Sequence, residues 1–277
     1  MDQATATSSV TEAIGDVEKY GVAILTDVLD GSEVASVRSK LASAVETSEK
    51  AGVPTRNYVF DPDENNTRVY FLFNWDPVFI DLIMNETALT LAKSVIGDDM
   101  LISNFSANIM GPGAAPMRVH SDQDYIRDPW PSVPLAVNIG WCIDDFTAEM
   151  GATQYVPGSH LLNSNPDPDA QHEFVDVVAP AGSLLIMDGR TWHRSGRNTA
   201  TEGQRAGLFA YYTKYWLRPQ VNWNIHLDPQ VIANSPVEFR KMLGYDAAII
   251  DYRDAHKELG TGTWYTGAET AKISGAS

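Results

Sequence analysis

A chain of 277 residues with 44% hydrophobic residues has enough apolar material for a sizeable core, as one large β domain or two smaller ones. Its 36 acidic against 20 basic residues give a net charge of −16, which argues against nucleic acid or an anionic membrane as partner, since phosphate binding relies on clustered Lys and Arg. With Cys142 as the only cysteine, no intramolecular disulfide is available; the polar N-terminus shows no secretory pattern and no run of about twenty apolar residues occurs, so the expected location is the cytoplasm.

In chain order, residues 17–29 read as a helix end, a strand and a turn, and Asp30-Gly31-Ser32 opens a helix that Ser32 can cap. Its apolar positions Val34, Val37, Leu41 and Val45 recur at three- and four-residue steps, the period of a helix with one buried face. Residues 52–66, rich in Pro, Asp and Asn, read as a long loop, and such loops commonly act as lids or border a ligand. The short aromatic stretch 67–75 carries Arg68, Tyr70 and Phe73. Large apolar residues are mostly buried for packing alone, whereas a charge among them, Arg68, either pairs with a buried acid or meets a polar substrate group. A helix is expected over 77–93. Residues 101–110 then alternate as a strand with Asn104, Ser106 and Asn108 on one face, a polar face suited to the wall of a polar cavity.

A Gly- and Pro-rich turn at 111–116 leads to His120-Ser121-Asp122. On an extended strand, residues two apart leave the same face, so the imidazole and the carboxylate converge and form half a metal site. A lone histidine on a strand is more often packed or solvated than ligating, and so short a pattern arises by chance in many chains. Residues 125–134, aromatic and Pro-rich, read as part of a substrate entrance or as a rigid linker. Strand 135–143 places Val137, Ile139 and Trp141 on one face, and 150–155 continues as a strand into the Pro157-Gly158-Ser159-His160 turn. Residues 161–171 read as a surface loop with His172 exposed at its edge. The run 183–187 and an Asp188-Gly189 turn set His193 at a strand mouth, where it can complete a His, Asp, His set. Two neutral imidazoles and one carboxylate leave coordination positions open, the arrangement that suits a non-haem Fe(II). Arg205 opens the apolar strand 206–212, with Phe209 and Tyr211 on its own face, and a helix is expected over 236–243.

Several short strands separated by Gly and Pro turns, with helices at the start, fit a mainly β fold with flanking helices, a double-stranded β-helix (jelly roll, cupin-like). The chain is taken as one domain over 1–277, with flexible tails at 1–16 and 260–277.

The order of these landmarks, from Tyr20-Gly21-Val22 through His120 and Asp122, Trp141, Gly151 to His160, Pro180 to Ser183, His193 and Arg205, resembles the phytanoyl-CoA dioxygenase family of Fe(II)- and 2-oxoglutarate-dependent oxygenases over most of the chain. The resemblance implies that His120, Asp122 and His193 hold iron, that O2 takes a remaining position, and that Arg205 with Ser195 grips the far carboxylate of 2-oxoglutarate. The twelve positions from His193 to Arg205 are one more than in the family, which leaves Arg194 and Arg197 as weaker candidates. Independently, a dicarboxylate in a partly dry pocket needs a fixed cation, and guanidinium offers a planar fork for it. Asn108, Trp141 and Thr153 complete the expected cosubstrate contacts, and Arg68, Tyr70, Phe73, Tyr125 and Tyr211 the expected substrate contacts. His160 lies in a turn and reads as structural.

The activity implied is oxidation of an unactivated C–H bond in a small molecule, expected to be a specialised-metabolism intermediate: hydroxylation, desaturation, rearrangement or cyclisation. A coenzyme A thioester is disfavoured, because its phosphates would call for a basic patch. A cosubstrate-independent cupin-type metalloenzyme and a non-catalytic jelly-roll binding protein are the alternatives. The expected partners are a small-molecule substrate and, as an option, a second copy of the chain in a homo-oligomer.

Overall fold

The computed structural model describes residues 2–59, 61, 63–127 and 129–245. Strand β1 (Ala6–Thr7), helix α1 (Val10–Tyr20), β2 (Val22–Leu25) and α2 (Gly31–Lys50) lead through a loop to β3 (Asn66–Val69), α3 (Val78–Ile83), α4 (Glu86–Ile96) and β4 (Met100–Met110). After a long arm come β5 (Ala136–Cys142), β6 (Thr153–Tyr155), β7 (Val175–Asp176), β8 (Leu184–Asp188), β9 (His193–Ser195) and β10 (Arg205–Lys214). Three short helices follow: α5 (Trp223–His226), α6 (Pro229–Asn234) and α7 (Val237–Met242).

The strands form two sheets. The larger runs β1-β2-β8-β5-β10-β4-β3 and is antiparallel except for β1 against β2; the smaller runs β7-β6-β9. One face of the large sheet carries Phe105, Ala107, Val137, Ile139, Trp141, Leu184, Ile186, Leu208 and Tyr212, which pack with Val17, Val37, Leu41 and Leu91 of the helices into the main core. Its other face meets the small sheet, where Val22, Ile24, Phe146, Tyr155 and Leu185 close a second core. The same second face bears the polar residues of the cavity described below.

Helix α2 buries Val34, Val37 and Leu41 as its period predicts, but its cap is Asp30 and not Ser32. The Asp30 carboxylate accepts from the backbone N–H groups of Ser32 and Glu33 while the Glu33 side chain accepts from the Asp30 N–H, a reciprocal box that satisfies orphan donors better than one hydroxyl can. The helix expected over 77–93 is two helices, because Asn85 leaves helical geometry and caps α4 through the Ala88 N–H. Residues 2–16 are not a flexible tail. β1 pairs with β2, the Ala4 N–H donates to the Tyr155 hydroxyl, and Ala13 and Val17 of α1 are buried. The expected tail at 260–277 lies outside the described residues. His172 is half-buried, packed edge-on against Trp192.

His160 is buried where α1 ends, its Nε2 against the Glu18 carbonyl. Gly21 ends that helix at φ 81°, and a Cβ there would lie 2.4 Å from Thr191 Oγ1 and 2.6 Å from His160 Nδ1, so only glycine permits the packing. Among the described residues, no helix is long and apolar enough to cross a membrane.

Candidate active site

Strand register arranges the second face of the large sheet as four rows, nine of whose residues line a cavity of about 650 Å³. Reading from β3 or β4 toward β5 and β8, the rows are Asn66–Met110–Arg205, Arg68–Asn108–Gly207–Cys142, Ser106–Phe209–Gly140–Leu185 and Asn104–Tyr211–Asn138–Met187. The expected polar face of β4 is therefore real: Asn104, Ser106 and Asn108 all line the cavity. Thr153 and Ser195, register partners in the small sheet, line the other side.

His120, Asp122 and His193 meet at one end, each offering a ligand atom within 4.8 Å of the others. The convergence does not come from a continuous strand. His120 makes an isolated bridge with His193, their backbone N–H groups donating to each other's carbonyls at 3.0 and 2.8 Å, and the chain then turns at Asp122. That turn is pinned by the Gln123 N–H on the Gly189 carbonyl and by the Tyr211 hydroxyl on the Asp122 carbonyl, at 2.9 and 2.6 Å. The bridge sets the two imidazoles 4.3 Å apart between centroids.

Backbone carbonyls fix the ring orientation. His120 Nδ1 faces the Arg118 carbonyl at 3.0 Å and His193 Nδ1 the Thr191 carbonyl at 2.9 Å, so each Nδ1 carries the proton and each Nε2 lone pair is free. Both Nε2 atoms point to Asp122 Oδ1, at 4.0 and 3.7 Å. The second carboxylate oxygen accepts from Asn138 Nδ2 at 2.8 Å. Burial, reinforced by the neighbouring His120, pushes His193 down to about 4, which keeps its imidazole neutral as a metal ligand must be. Two imidazole nitrogens and a carboxylate on one side of a cavity fit a ferrous ion with open positions.

Arg205 is 1% exposed and lines the same cavity. Its Nη2 donates to the Gly151 carbonyl at 3.1 Å and its guanidinium lies over Phe146, yet Nε and Nη1 are buried without a partner. No carboxylate forms an ion pair with it among the described residues. Burial lowers its pKa to about 10, so it remains charged at neutral pH. A buried guanidinium with idle N–H groups is costly, and a carboxylate ligand supplies what it lacks. Ser195 Oγ accepts from the Met117 N–H at 3.0 Å, leaving its own proton to donate. Arg197 is exposed, and Arg194 spends its Nε on Gln154 with its guanidinium over Phe174.

Of the remaining predicted residues, Asn108, Thr153, Arg68, Tyr70 and Tyr211 line the cavity, whereas three do not. Trp141 lies on the opposite face of β5, fully buried in the main core: the alternation was read correctly but its phase was not, and the face toward the cavity belongs to Asn138. Phe73 packs among Phe105, Trp223 and Phe239 in the same core. Tyr125 stands outside the lining and touches Tyr211 hydroxyl to hydroxyl at 3.3 Å. Arg68 pairs with Asp61, the buried acid that was one of its two expected partners. Asn138 was missed, although a single amide inside the apolar run 135–143 was a visible signal. The 161–171 loop was read only as surface, yet Asn165, Pro166 and Pro168 form part of the wall.

A jelly roll with this histidine and aspartate set defines a class of non-haem iron enzymes. The chain matches the family model "Phytanoyl-CoA dioxygenase (PhyH)" over residues 17–207 and belongs to that family. It is a 2-oxoglutarate-dependent non-haem iron dioxygenase, with iron and 2-oxoglutarate as its cofactors. Dioxygenase af480 of Aspergillus fumigatus is 39% identical over 240 residues, 86% of this chain and 77% of that protein. Two solved structures share the fold. HygX from Streptomyces hygroscopicus, with nickel, 2-oxoglutarate and hygromycin B bound, superposes with a TM-score of 0.61 at 18% identity, covering 75% of this chain and 88% of its own. The 2-oxoglutarate-dependent carbocyclase SnoK from nogalamycin biosynthesis has a TM-score of 0.60 at 21% identity, covering 81% and 90%.

Proposed function

We propose that this dioxygenase oxidises an unactivated C–H bond of a small organic molecule made in specialised metabolism, with His120, Asp122 and His193 as the iron ligands and Arg205 as the cosubstrate anchor. The observation that carries the assignment of residues is the pairing, in one cavity, of a three-ligand cluster within 4.8 Å with a buried arginine whose Nε and Nη1 are unpartnered.

His120, Asp122 and His193 would hold the iron, which would supply O2 activation with 2-oxoglutarate as the two-electron reductant, recovered as succinate and carbon dioxide. The chain's own residues prepare that chemistry. The carbonyls of Arg118 and Thr191 hold both imidazoles in the ligating tautomer, and Asn138 steers the Asp122 carboxylate so that one oxygen faces them. Arg205 would hold the distal carboxylate through its unpartnered Nε and Nη1 groups, while the hydroxyls of Ser195 and Thr153, on the small-sheet side of the cavity, are available to donate to it. Phe209 and Met187 give the wall an apolar part that keeps bulk water from the reacting carbon.

Specialised metabolism is supported by HygX, solved with hygromycin B bound, and by SnoK, a carbocyclase from nogalamycin biosynthesis. A small molecule as substrate also agrees with a cavity of about 650 Å³, within the range of drug-sized ligand pockets. The test is anaerobic reconstitution with Fe(II) and 2-oxoglutarate, then succinate release on exposure to air across a compound panel. Succinate formed only with both cofactors, and accelerated by one panel member, is the expected result. Product formed without 2-oxoglutarate would make the protein a cosubstrate-independent metalloenzyme instead, and failure to take up iron a binding module.

A further inference from the structure

The cavity end at β3 is furnished differently from the iron end. Arg68 and Tyr70 stand two apart on that edge, beside Asn108 and Ser106. Arg68 spends Nε and Nη2 on the two oxygens of Asp61, at 2.9 and 2.8 Å, and Asp61 is 1% exposed. The fork neutralises the guanidinium and leaves Nη1 with no partner among the described residues. The Tyr70 hydroxyl accepts from Asn57 Nδ2 at 2.6 Å, so its proton is free to donate. Two donors with no net charge thus line one patch of the wall.

Charge also balances at the iron and cosubstrate end once it is loaded. On the oxygenase reading above, on which this inference rests, the two charges of ferrous iron and the one on Arg205 offset the 2-oxoglutarate dianion and Asp122. Arg118 and Asp124, also on the lining, are exposed at the rim and opposite in sign. Arg194, the remaining charged residue of the lining, spends its Nε on Gln154 and lays its guanidinium over Phe174, which is not part of the wall. Among the described residues no further charge on the lining is left to pair with an ionised substrate group, and burying one unpaired is expensive.

We propose that the primary substrate is a neutral molecule with an acceptor oxygen, a carbonyl above all, that seats between Arg68 Nη1 and the Tyr70 hydroxyl. That oxygen is remote from the carbon attacked. Arg68 on β3 and Asn138 on β5, which holds the Asp122 carboxylate, lie three strand spacings apart, roughly 14 Å between backbones, so the molecule is long enough to set its oxygen at the end away from iron.

The experiment uses the protein loaded anaerobically with Fe(II) and 2-oxoglutarate, and three probes on one four-ring skeleton: androstanone, androstane and androstane carboxylate. Dissociation constants are read from quenching of tryptophan fluorescence. The ketone is expected to bind about tenfold more tightly than the hydrocarbon, the worth of one net hydrogen bond in a dry site, with the carboxylate weakest. Tyr70→Phe should cut the ketone's advantage to roughly threefold and leave the hydrocarbon unchanged, as expected for loss of one of two donors. Asp61→Asn uncovers the Arg68 charge and should make the carboxylate the tightest of the three; if that variant does not fold, Tyr70→Phe decides alone. A wild-type protein that prefers the carboxylate, treats ketone and hydrocarbon alike, binds none of the three, or is indifferent to Tyr70→Phe overturns the proposal. Iron and 2-oxoglutarate uptake, measured first on the same sample, separates the two readings: normal uptake with the wrong probe order defeats only the substrate class.

Discussion

At the iron end of the cavity, His120 and Asp122 stand on a bridge and a turn, held by backbone carbonyls and one amide, and the Asp122 side chain is partly exposed. At the end proposed for the cosubstrate, Arg205 opens a strand flanked on both sides by others and is sealed from solvent. The first end is assembled from arms that return from distant parts of the chain and is completed by an ion. The second is built on a central strand and already carries a charge with no ion pair among the described residues. A site can thus be loop-built where a metal supplies the final cross-link, and must be strand-built where the protein alone holds a buried ion in place.

The largest way to break this contrast is at the iron end. Asp122→Ala removes the one anionic ligand, so iron binding and succinate release should both fall below detection while circular dichroism stays that of the wild type. Next, Arg205→Met should raise the KM for 2-oxoglutarate by roughly a hundredfold, the scale of a lost charge-assisted hydrogen bond. Without 2-oxoglutarate that variant should melt no lower than the wild type, because the buried charge is gone; with it, only the wild type should gain stability. Thermal melts with and without the cosubstrate check both statements.

Smaller effects sharpen the comparison. Asn138→Leu frees the Asp122 carboxylate to rotate and should weaken Fe(II) by roughly 10–100-fold in an anaerobic titration, with the KM for 2-oxoglutarate little changed. The smallest effect is expected from Trp141→Phe. Its indole N–H is buried without a partner, so the change should cost no more than about 1 kcal/mol of stability and leave cosubstrate kinetics alone. A large rise in the 2-oxoglutarate KM would return Trp141 to the cavity.

These outcomes bear on how much of the molecule its sequence exposes. The placement of His120, Asp122, His193 and Arg205 in one cavity could be anticipated, because their residue types are chemically narrow and a jelly roll brings distant strand ends together. Trp141 and Asn138 show the limit. Alternation along β5 separates two faces with certainty, but which face meets a cavity depends on what packs against the sheet, and that information lies in α2 and α4 and not in the strand. Phe73 fails for the same reason: its partners Trp223 and Phe239 are about 150 residues or more further along. The N-terminal segment looked like a tail because its strand is two residues long and its anchoring contact, Ala4 to Tyr155, spans 151 positions. Asn85 and Asp30, by contrast, are local caps that a closer reading of the same residues would have found.

The most direct test of the account is an anaerobic calorimetric titration with Fe(II) of the wild type, His193→Ala and Arg205→Met proteins. It predicts one ion per chain for the wild type, none for His193→Ala, and one for Arg205→Met, which should then fail to bind 2-oxoglutarate at concentrations that saturate the wild type. Equal iron binding by wild type and His193→Ala would contradict it.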